Sequence, residues 1–297
     1  MEIYNFGSLN IDRVYSIDHF VLPEETITAK DYKESFGGKG LNQSIAIARA
    51  GADLYHIGVV GNDGIALRNY LIENGVNVDF IAKENIENGH AVIQVDDNGQ
   101  NCIIVNRGSN GCLNHDLIDD VMKLVQSRDI VLLQNEVSNT EYIIKRASER
   151  GAYIILNPSP IDNTLLNSDL MDVNLFILNE IEAKFLCNYF ENDLEILKNQ
   201  LLLEYPESDF LLTLGSQGSY YFNKNVDIKQ KSYNVEVVDT TGAGDTYCGY
   251  FISSLSKGIS TKECMDIASA ASALAITKSG AASSIPFLEE VKKIIKK

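Results

Sequence analysis

The chain has 297 residues, of which 45% are hydrophobic, so it is long enough to bury a large core in one large or two small domains. With 41 acidic and 25 basic residues the formal net charge is −16. This excess of acidic side chains argues against binding to nucleic acid or to anionic membranes. An anionic substrate is not excluded, because a local positive field can exist inside a negatively charged protein.

The N-terminal residues and the cysteines indicate a cytoplasmic protein. Residues 1–5 have no basic region followed by an apolar one, which a secretory signal needs, and no apolar run reaches the ~20 residues of a membrane span. The sequence contains no C-x-x-C pair, so neither a disulfide framework nor a zinc site is expected. The five cysteines are Cys102, Cys112, Cys187, Cys248 and Cys264. A reducing compartment is the simplest interpretation.

The first predicted strand ends in residues 7–12, with the sequence GSLNID. Asn10 and Asp12 alternate with apolar residues, so both project from one face of an extended chain. Such a pair can bind two sugar hydroxyls. The alternative is an ordinary exposed face of a strand.

Two segments that read as strands differ from the rest of the chain and predict a small separate sheet. Residues 16–36 alternate polar and apolar residues. Residues 89–105 contain two apolar runs separated by the turn DDNG at residues 96–99, which is typical of a hairpin. We expect lid segments at about 13–36 and 89–107, which cover a site or contact a second subunit.

Residues 36–43, FGGKGLNQ, are glycine-rich and precede a helical pattern. The glycines permit close approach to a small polar ligand, and Lys39 and Asn42 offer hydrogen-bond donors. A flexible turn before a helix is the alternative.

From residue 130 onward, short apolar runs alternate with helical patterns. The predicted strands are 130–134, 153–156, 175–178 and 210–214, and the predicted helices are 140–150, 193–203 and 287–297. Repeated units of this kind indicate a parallel sheet covered by helices on both faces. The predicted fold is therefore a single α/β domain, with a three-layer α/β/α Rossmann-like body and a mainly parallel sheet, plus the small lid sheet.

Two further segments follow predicted strands, where ligands gather in open α/β sheets. In residues 179–183, NEIEA, Glu180 or Glu182 can bind Mg²⁺ through water, although acidic residues are also favoured in the first turn of a helix. Residues 213–218, TLGSQG, either line a nucleotide or form a glycine-rich turn.

The most informative segment is residues 239–246, DTTGAGDT, between a strand-like run at 235–238 and a predicted helix at 247–255. Its glycines allow the backbone to approach a ligand, and N–H groups at a helix start attract anions. Asp245 can accept a proton from a hydroxyl while those N–H groups hold a phosphoryl group. Asp is also a common helix N-cap, and capping is the alternative interpretation.

Taken together and in this order, the motifs resemble the ribokinase family of ATP-dependent sugar kinases, also called the phosphofructokinase-B type. The resemblance runs from Gly7 to about Pro286. It rests on the segments at 7–12, 37–43, 156–160 (LNPSP), 179–183, 239–245 and 277–281 (TKSGA). It implies a ribokinase-like fold and transfer of the ATP γ-phosphoryl group to a sugar primary hydroxyl. D-ribose is the favoured substrate; another sugar such as fructose or deoxyribose, a nucleoside, and an inactive sugar-binding regulator are the alternatives.

The resemblance also implies roles for individual residues. Asp245 would be the catalytic base. The anion hole would consist of Gly242, Ala243 and Gly244. The positions that match sugar-binding residues of the family are Asn10, Asp12, Gly38, Lys39, Asn42, Glu136 and Asp245. Those that match nucleotide-binding residues are Asn179, Thr213, Gly215, Ser216, Gly218, Gly244 and Ser269.

Two cations and a second subunit are implied in the same way. Glu182 matches a glutamate linked to Mg²⁺ and phosphate. The positions that match a monovalent-cation site, usually for K⁺, are Asp239, Thr241, Ala275, Lys278, Gly280 and Ser284, several of them through backbone carbonyls. The resemblance further implies a homodimer formed through the lid.

Overall fold

The computed structural model describes residues 1–295. They form ten α-helices and thirteen strands, and the strands are arranged in two separate sheets. The strands are β1 (Ile3–Phe6), β2 (Asn10–Ser16), β3 (Asp31–Gly37), β4 (Tyr55–Val60), β5 (Asn77–Lys83), β6 (Gly89–Val95), β7 (Asn101–Asn106), β8 (Ile130–Gln134), β9 (Tyr153–Asn157), β10 (Leu175–Asn179), β11 (Asp209–Thr213), β12 (Ser219–Phe222) and β13 (Asp227–Gln230). The helices are α1 (Lys39–Arg49), α2 (Ile65–Glu73), α3 (His115–Met122), α4 (Thr140–Glu149), α5 (Asn163–Leu166), α6 (Glu180–Leu186), α7 (Leu194–Glu204), α8 (Ala243–Ser256), α9 (Thr261–Ala275) and α10 (Leu288–Ile295).

The main sheet has nine strands in the order β13-β12-β11-β10-β9-β8-β1-β4-β5. The seven strands from β11 to β5 pair in parallel, and β12 and β13 add an antiparallel edge. Strands β8, β9 and β10 correspond closely to the apolar runs identified in the sequence. Such continuous apolar runs suit strands that are covered on both faces.

Alternate residues of the central strands enter two different hydrophobic cores. On β8, Ile130 and Leu132 pack with helices α1, α2, α8 and α9, whereas Val131 and Leu133 pack with α3, α4, α6 and α7. This alternation follows from the two-residue period of a strand. The predicted three-layer α/β/α body with a mainly parallel sheet and a small additional sheet is confirmed.

The small sheet has the order β3-β2-β6-β7. Strand β2 pairs antiparallel with β3 and parallel with β6, which continues through a hairpin into β7. The expectation that residues 7–12 end the first strand is wrong, because β1 ends at Phe6 and β2 begins at Asn10. Asn10 and Asp12 therefore lie on the small sheet, and their positions depend on its pairing.

Two local expectations about strands are also wrong. Residues 235–238 do not form a strand, because the N–H groups of Val238 and Asp239 both donate to the carbonyl of Ile276 at the end of α9. Residues 26–29 alternate polar and apolar residues but do not form a strand. Pairing with β2 begins only after them, at the hydrogen bond from Lys30 N to Ser16 O (2.8 Å), and β3 follows.

The helices end close to the predicted positions. Gly151 follows α4 with φ of 68°, as expected of a glycine that ends a helix. The predicted helix 287–297 is observed as α10, and its last two residues lie outside the described residues. Within residues 1–295, no helix is long and apolar enough to cross a membrane.

Candidate active site

The candidate site forms where helices α1 and α8 meet above the carboxyl ends of the parallel strands. The two helices are in close contact at Gly249, where an added Cβ would lie 2.4 Å from the Cβ of Ala46. Only glycine permits this approach. It brings the first turns of the two helices together, so that Asn42 and Gln43 of α1 face Asp245 of α8.

Asp245 is a buried carboxylate with a donor on each oxygen. Asn42 Nδ2 donates to Oδ2 (2.9 Å), and Gln43 Nε2 donates to Oδ1 (3.0 Å). The interpretation of Asp245 as the helix N-cap is wrong, because the cap is Gly242, with φ of 72°, and Asp245 is the third helical residue. Its carboxylate is therefore held by side chains of another helix and is not used to cap its own.

The start of α8 can bind an anion beside this carboxylate. The first α-helical hydrogen bond runs from Thr246 N to Gly242 O (2.8 Å), and Ala243 N turns back to Thr240 O (3.2 Å). The first N–H groups of a helix have no partner within the helix, and the helix dipole favours negative charge there. The turn at Gly242–Gly244 is thus a helix start of the kind that favours anions, although the N–H of Ala243 is already donated to Thr240.

A lysine and two further carboxylates surround the same space. Burial, followed by the charges of Glu136 and Asp245, raises the pKa of Asp12 to about 7. Burial disfavours the charged form of Lys39, but Asp245, Glu136 and Glu182 hold its pKa above the usual value. Burial likewise raises the pKa of Glu136, although Lys39 opposes this shift. Lys39 thus supplies a positive charge among carboxylates in a protein that is negatively charged overall.

Ser8 holds Glu136 in place and was not singled out in the sequence. Its hydroxyl donates to Glu136 Oε2, which also accepts the N–H of Lys39 (2.9 Å), and the same hydroxyl accepts from Gly40 N (3.2 Å). Ser8 is fully buried at the link between β1 and β2. In the sequence, Ser8 is a small polar residue within the segment 7–12, and no pattern there indicated that it would bind Glu136.

The space among Asp12, Lys39, Glu136 and Asp245 is called the cleft, and the other predicted sugar-binding residues lie close to it. Asn10 is fixed by Asn110, whose Nδ2 donates to Asn10 Oδ1 (2.7 Å). Gly38 has φ of 94°, and a Cβ there would lie 2.9 Å from the Ser8 hydroxyl. Among the described residues, the buried Oδ1 of Asn42 has no hydrogen-bond partner.

A cavity of about 640 Å³ lies on the other side of the α8 N-terminus. Six predicted nucleotide-binding residues line it: Thr213, Gly215, Ser216, Gly218, Gly244 and Ser269. Ala243, predicted as part of the anion hole, also lines it, whereas the sequence did not identify the lining residues in 233–237, which is not a strand, or Ser272 and Ala273 of α9. Its size is in the range of small-molecule and cofactor sites.

Asn179 and Glu182 form a capping box at the start of α6. Asn179 Oδ1 accepts from Glu182 N (2.8 Å), and Glu182 Oε2 accepts from Asn179 N (3.0 Å). This geometry matches the structural alternative for an acidic first turn. In the described part of the chain, Asn179 does not line the 640 Å³ cavity. Oε1 of Glu182, which the capping box does not use, can contact a hydrated cation.

The residues expected at a monovalent-cation site are partly brought together. Asp239 Oδ1 accepts from Thr241 Oγ1 (2.6 Å), and Asp239 Oδ2 accepts from Gly280 N (2.8 Å). Although burial disfavours its charged form, these hydrogen bonds lower the pKa of Asp239. Lys278 forms an ion pair with Glu290 (3.2 Å).

The two segments at 239–241 and 275–284 are thus linked through Asp239 and Gly280. Ala275 and Ser284 lie on the second of them. Residues 1–295 contain no group of three or more His, Cys, Asp or Glu side chains placed to hold a metal ion.

Comparison with known proteins supports the family that the order of the motifs indicates. The model of the pfkB family carbohydrate kinases matches residues 2–288. The ribokinase of Staphylococcus aureus (strain COL) is 33% identical over 304 residues, which cover 99% of each chain. The structure of Arabidopsis thaliana ribokinase complexed with ribose and ATP aligns with a TM-score of 0.85 at 30% identity and covers 100% of this chain and 98% of that one.

A nucleoside kinase of Burkholderia thailandensis in complex with inosine has a TM-score of 0.84 at 15% identity, covering 100% of this chain and 96% of that one; this likeness concerns the fold alone. The resemblance inferred from the sequence is confirmed by the family match and by the relatives that are at least 30% identical over nearly the full length. The chain belongs to the pfkB family of carbohydrate kinases.

Proposed function

We propose that this protein is an ATP-dependent ribose kinase, which transfers the γ-phosphoryl group of ATP to the primary hydroxyl of D-ribose and gives D-ribose 5-phosphate and ADP. The observation that carries the proposal is the position of Asp245. Its carboxylate lies at the start of α8, between the cleft around Lys39 and the 640 Å³ cavity. The ribokinases of similar sequence support ribose as the sugar.

In the proposed reaction, the sugar hydroxyl lies against Asp245. Its oxygen forms a bond to the γ-phosphorus while the bond from that phosphorus to the β,γ-bridging oxygen breaks. The hydroxyl proton passes to Asp245, and the electron pair of the broken bond leaves with ADP. The N–H groups at Gly242–Gly244 stabilise the charge on the phosphoryl group in transit.

The remaining hydroxyls of the sugar are assigned to the polar groups of the cleft. Asp12, Glu136 and Asn10 accept hydrogen bonds from them, and Lys39 and Asn42 complete the contacts. Thr213, Gly215, Ser216, Gly218, Gly244 and Ser269 are assigned to the nucleotide, with Asn179 nearby at the start of α6.

ATP-dependent phosphoryl transfer implies a divalent cation such as Mg²⁺, which neutralises phosphate charge when bound. Glu182 is the residue assigned to it, through water, by the oxygen that the capping box leaves. A monovalent cation, K⁺, is assigned to the linked segments at 239–241 and 275–284. There it would stabilise the loop that joins α9 to α10 beside the anion-binding turn.

The small sheet (β2, β3, β6 and β7) is proposed to act as a lid and as the contact between two subunits. All residues of the edge strand β7 are exposed, and they include Ile103 (52%) and Ile104 (63%). Exposed apolar edge strands favour pairing with another chain. The five free cysteines, Cys102 on this strand among them, support a reducing, cytoplasmic location.

The function is tested by ADP release from Mg-ATP with K⁺ present, using D-ribose, 2-deoxyribose, fructose, other hexoses, adenosine and uridine as acceptors. Turnover with ribose well above all others is expected. Preference for another sugar or a nucleoside would overturn the substrate but keep the kinase, whereas sugar binding without turnover would favour an inactive sugar-binding protein. Omitting K⁺, with Na⁺ as control, tests the monovalent cation, and lower turnover is expected.

The subunit contact is tested by light scattering after size-exclusion chromatography. The wild-type protein is expected to be a dimer, and Ile104→Lys is expected to be a monomer, because it places a charge in the proposed apolar contact. Leu203→Lys, at an exposed position of α7, is the matched control and is expected to remain a dimer. A wild-type monomer would contradict this assignment.

A further inference from the structure

A row of buried polar side chains lies beneath Asp245, across four adjacent strands of the main sheet. Asn5 is opposite His56 on β1 and β4, and Gln134 is opposite Asn157 on β8 and β9. Together with Gln43 and Ser44 of α1, these six residues are called the polar network. All are fully buried except Asn157, which is partly buried. Buried polar groups at this density are costly unless each is hydrogen-bonded. Within the described residues, Oε1 of Gln134 is the one side-chain polar atom of the network without a hydrogen-bond partner.

Gln43 connects the polar network to the carboxylate of Asp245. Its Nε2 donates to Asp245 Oδ1 (3.0 Å) and to Asn157 Oδ1 (3.0 Å). Its Oε1 accepts from Gln134 Nε2 (2.7 Å), which also donates to Asn5 Oδ1 (3.0 Å). Each end of the Gln43 amide therefore has a partner of the matching kind.

The far end of the polar network fixes the direction of these hydrogen bonds. His56 Nε2 lies 3.1 Å from the carbonyl of Gly7, which can only accept, so Nε2 carries a hydrogen. Burial lowers the pKa of His56 to about 4, so the ring is neutral and Nδ1 is an acceptor. Ser44 Oγ, 2.8 Å away, must then donate to Nδ1 and accept from Asn5 Nδ2 (2.8 Å).

This direction passes along the polar network to Gln43. Asn5 must present Oδ1 to Gln134, a choice that is reinforced because Asn5 Nδ2 also donates to Gly40 O (2.9 Å). Gln134 then presents Nε2 to Gln43, so the oxygen of Gln43 faces Gln134 and its nitrogen faces Asp245. The reverse orientation would place the Gln43 oxygen against a carboxylate oxygen and leave two donors face to face.

We infer that Gln43 is a positioning residue for the base: together with the polar network behind it, Gln43 holds the carboxylate plane of Asp245 in one orientation toward the acceptor hydroxyl. Asn42 alone contacts only Oδ2, so the carboxylate could turn about its Cβ–Cγ bond. A donor on each oxygen removes this freedom before the sugar arrives. The inference rests on the proposed function, in which Asp245 is the base.

The first experiment compares kcat and KM of Gln43→Met, which keeps the length of the side chain but removes the donor. We expect kcat to fall roughly 10- to 100-fold, while KM for ribose and for ATP stays within about 3-fold, because the base is mispositioned only for the chemical step. Gln134→Met, one residue further away, is expected to lower kcat by about 3- to 10-fold. The matched control is Ser208→Ala. Ser208 is a buried side chain that donates to Val173 O at the opposite end of the sheet, so this variant is expected to have a lower melting temperature but an unchanged kcat.

The second experiment does not depend on turnover. Side-chain amide signals of ¹⁵N-labelled glutamine are compared between the wild-type protein and Asp245→Asn. We expect the signals of Gln43 and Gln134 to shift, and that of the exposed Gln200 on α7 to stay unchanged. If the wild-type protein turns over no acceptor, the proposed function fails, and these signals alone then support or overturn the contact between Gln43 and Asp245.

Two results would overturn the inference. One is a Gln43→Met variant whose kcat stays within 2-fold of wild type, whatever its melting temperature, since the side chain would then act in folding only. The other is an unchanged Gln43 signal in Asp245→Asn. If Gln43→Met fails to fold, Gln134→Met and the amide signals provide the same decision.

Discussion

The cleft assigned to the sugar and the cavity assigned to the nucleotide are built in different ways. In the cleft, the carboxylates are already hydrogen-bonded before any ligand binds: Asp245 by two side-chain amides, and Glu136 by the Ser8 hydroxyl and a backbone N–H. The cavity is lined by glycines, small hydroxyl residues and apolar side chains such as Val237 and Ile276. A ligand therefore meets preformed polar groups on one side and mainly shape and backbone on the other.

This difference predicts how each side responds to substitution. A polar group that has been fixed by buried neighbours cannot be replaced without leaving a partner unsatisfied, which costs about 1–3 kcal/mol per group. A wall made of backbone and small side chains loses little when one hydroxyl is removed. Substitutions in the cleft should therefore have larger effects than substitutions in the cavity.

The largest effect is expected for Asp245→Asn. The amide cannot take the hydroxyl proton, so kcat is expected to fall by about 10³-fold or more, since a positioned general base contributes roughly 10²–10⁴ and the stabilising contacts of Asn42 and Gln43 are also disturbed. Steady-state kinetics with ribose measures this change. Circular dichroism is the control for folding, and near-normal turnover by a folded variant would refute the role of Asp245.

Asp12→Asn is expected to weaken sugar binding and stabilise the protein. At pH 8, where the Asp12 carboxyl is ionised, KM for ribose should rise roughly 10- to 100-fold because a carboxylate acceptor is lost. The pKa of Asp12 is raised to about 7 in the folded state, so the folded protein keeps a proton that the unfolded chain releases near pH 4. Wild-type stability therefore falls as the pH rises from 4 to 7, and this loss is absent in the variant.

Urea unfolding of both proteins at pH 4.5, 6 and 8 tests the second part of this prediction. At pH 8 the variant should be more stable by on the order of 2 kcal/mol, and the difference should shrink toward pH 4.5. A stability difference that is the same at every pH would show that Asp12 is not held in its protonated form.

His56→Gln tests the neutral histidine of the polar network. Because the pKa of His56 falls to about 4 on folding, the unfolded chain binds a proton near pH 6.5 that the folded protein does not bind. Wild-type stability therefore decreases from pH 6.5 down to 4, by up to roughly 3 kcal/mol, and the variant lacks this contribution.

The stability difference between wild type and His56→Gln should accordingly narrow as the pH is lowered. Urea unfolding at pH 7, 5.5 and 4.5 measures it, and His115→Gln at an exposed position of α3 is the matched control. An equal difference at all three pH values would argue against a buried neutral ring.

The smallest effect is expected for Ser269→Ala in the cavity. Ser269 is buried in the cavity wall beside glycines, other small hydroxyl residues and apolar side chains, so removing one hydroxyl leaves most of the wall unchanged. KM for ATP should therefore rise no more than about 3-fold with kcat unchanged. Initial rates at saturating ribose measure it. A 10-fold or larger rise would mean that both sides of the site depend equally on side-chain hydrogen bonds.

Much of the main sheet could be predicted because its signal is local. The runs at β8, β9 and β10 are apolar except at their last residues, Gln134, Asn157 and Asn179, and Gly151 ends α4 where the helical pattern stops. The segments at 36–43 and 239–246 were also visible, because glycines beside polar residues stand out from an apolar background. These features require no knowledge of which parts of the chain meet.

The errors arose where pairing depends on distant residues. Residues 235–238 have the composition of a strand but bind the end of α9, and Asn10 belongs to a strand of the small sheet, not to β1. Ser8 and Gln134 gave no signal in the sequence, because a buried serine or glutamine is recognisable only from its partners.

By itself, the sequence determined the α/β class, the order of the motifs and the presence of a carboxylate at a glycine-rich helix start. Only the tertiary structure decided that Asp245 does not cap its helix and that Gln43, 202 positions earlier, binds it. The reason is physical: periodicity and turn chemistry act between neighbours in the chain. The orientation of a buried carboxylate is set instead by side chains that folding brings together from β1, β4, β8, β9 and α1.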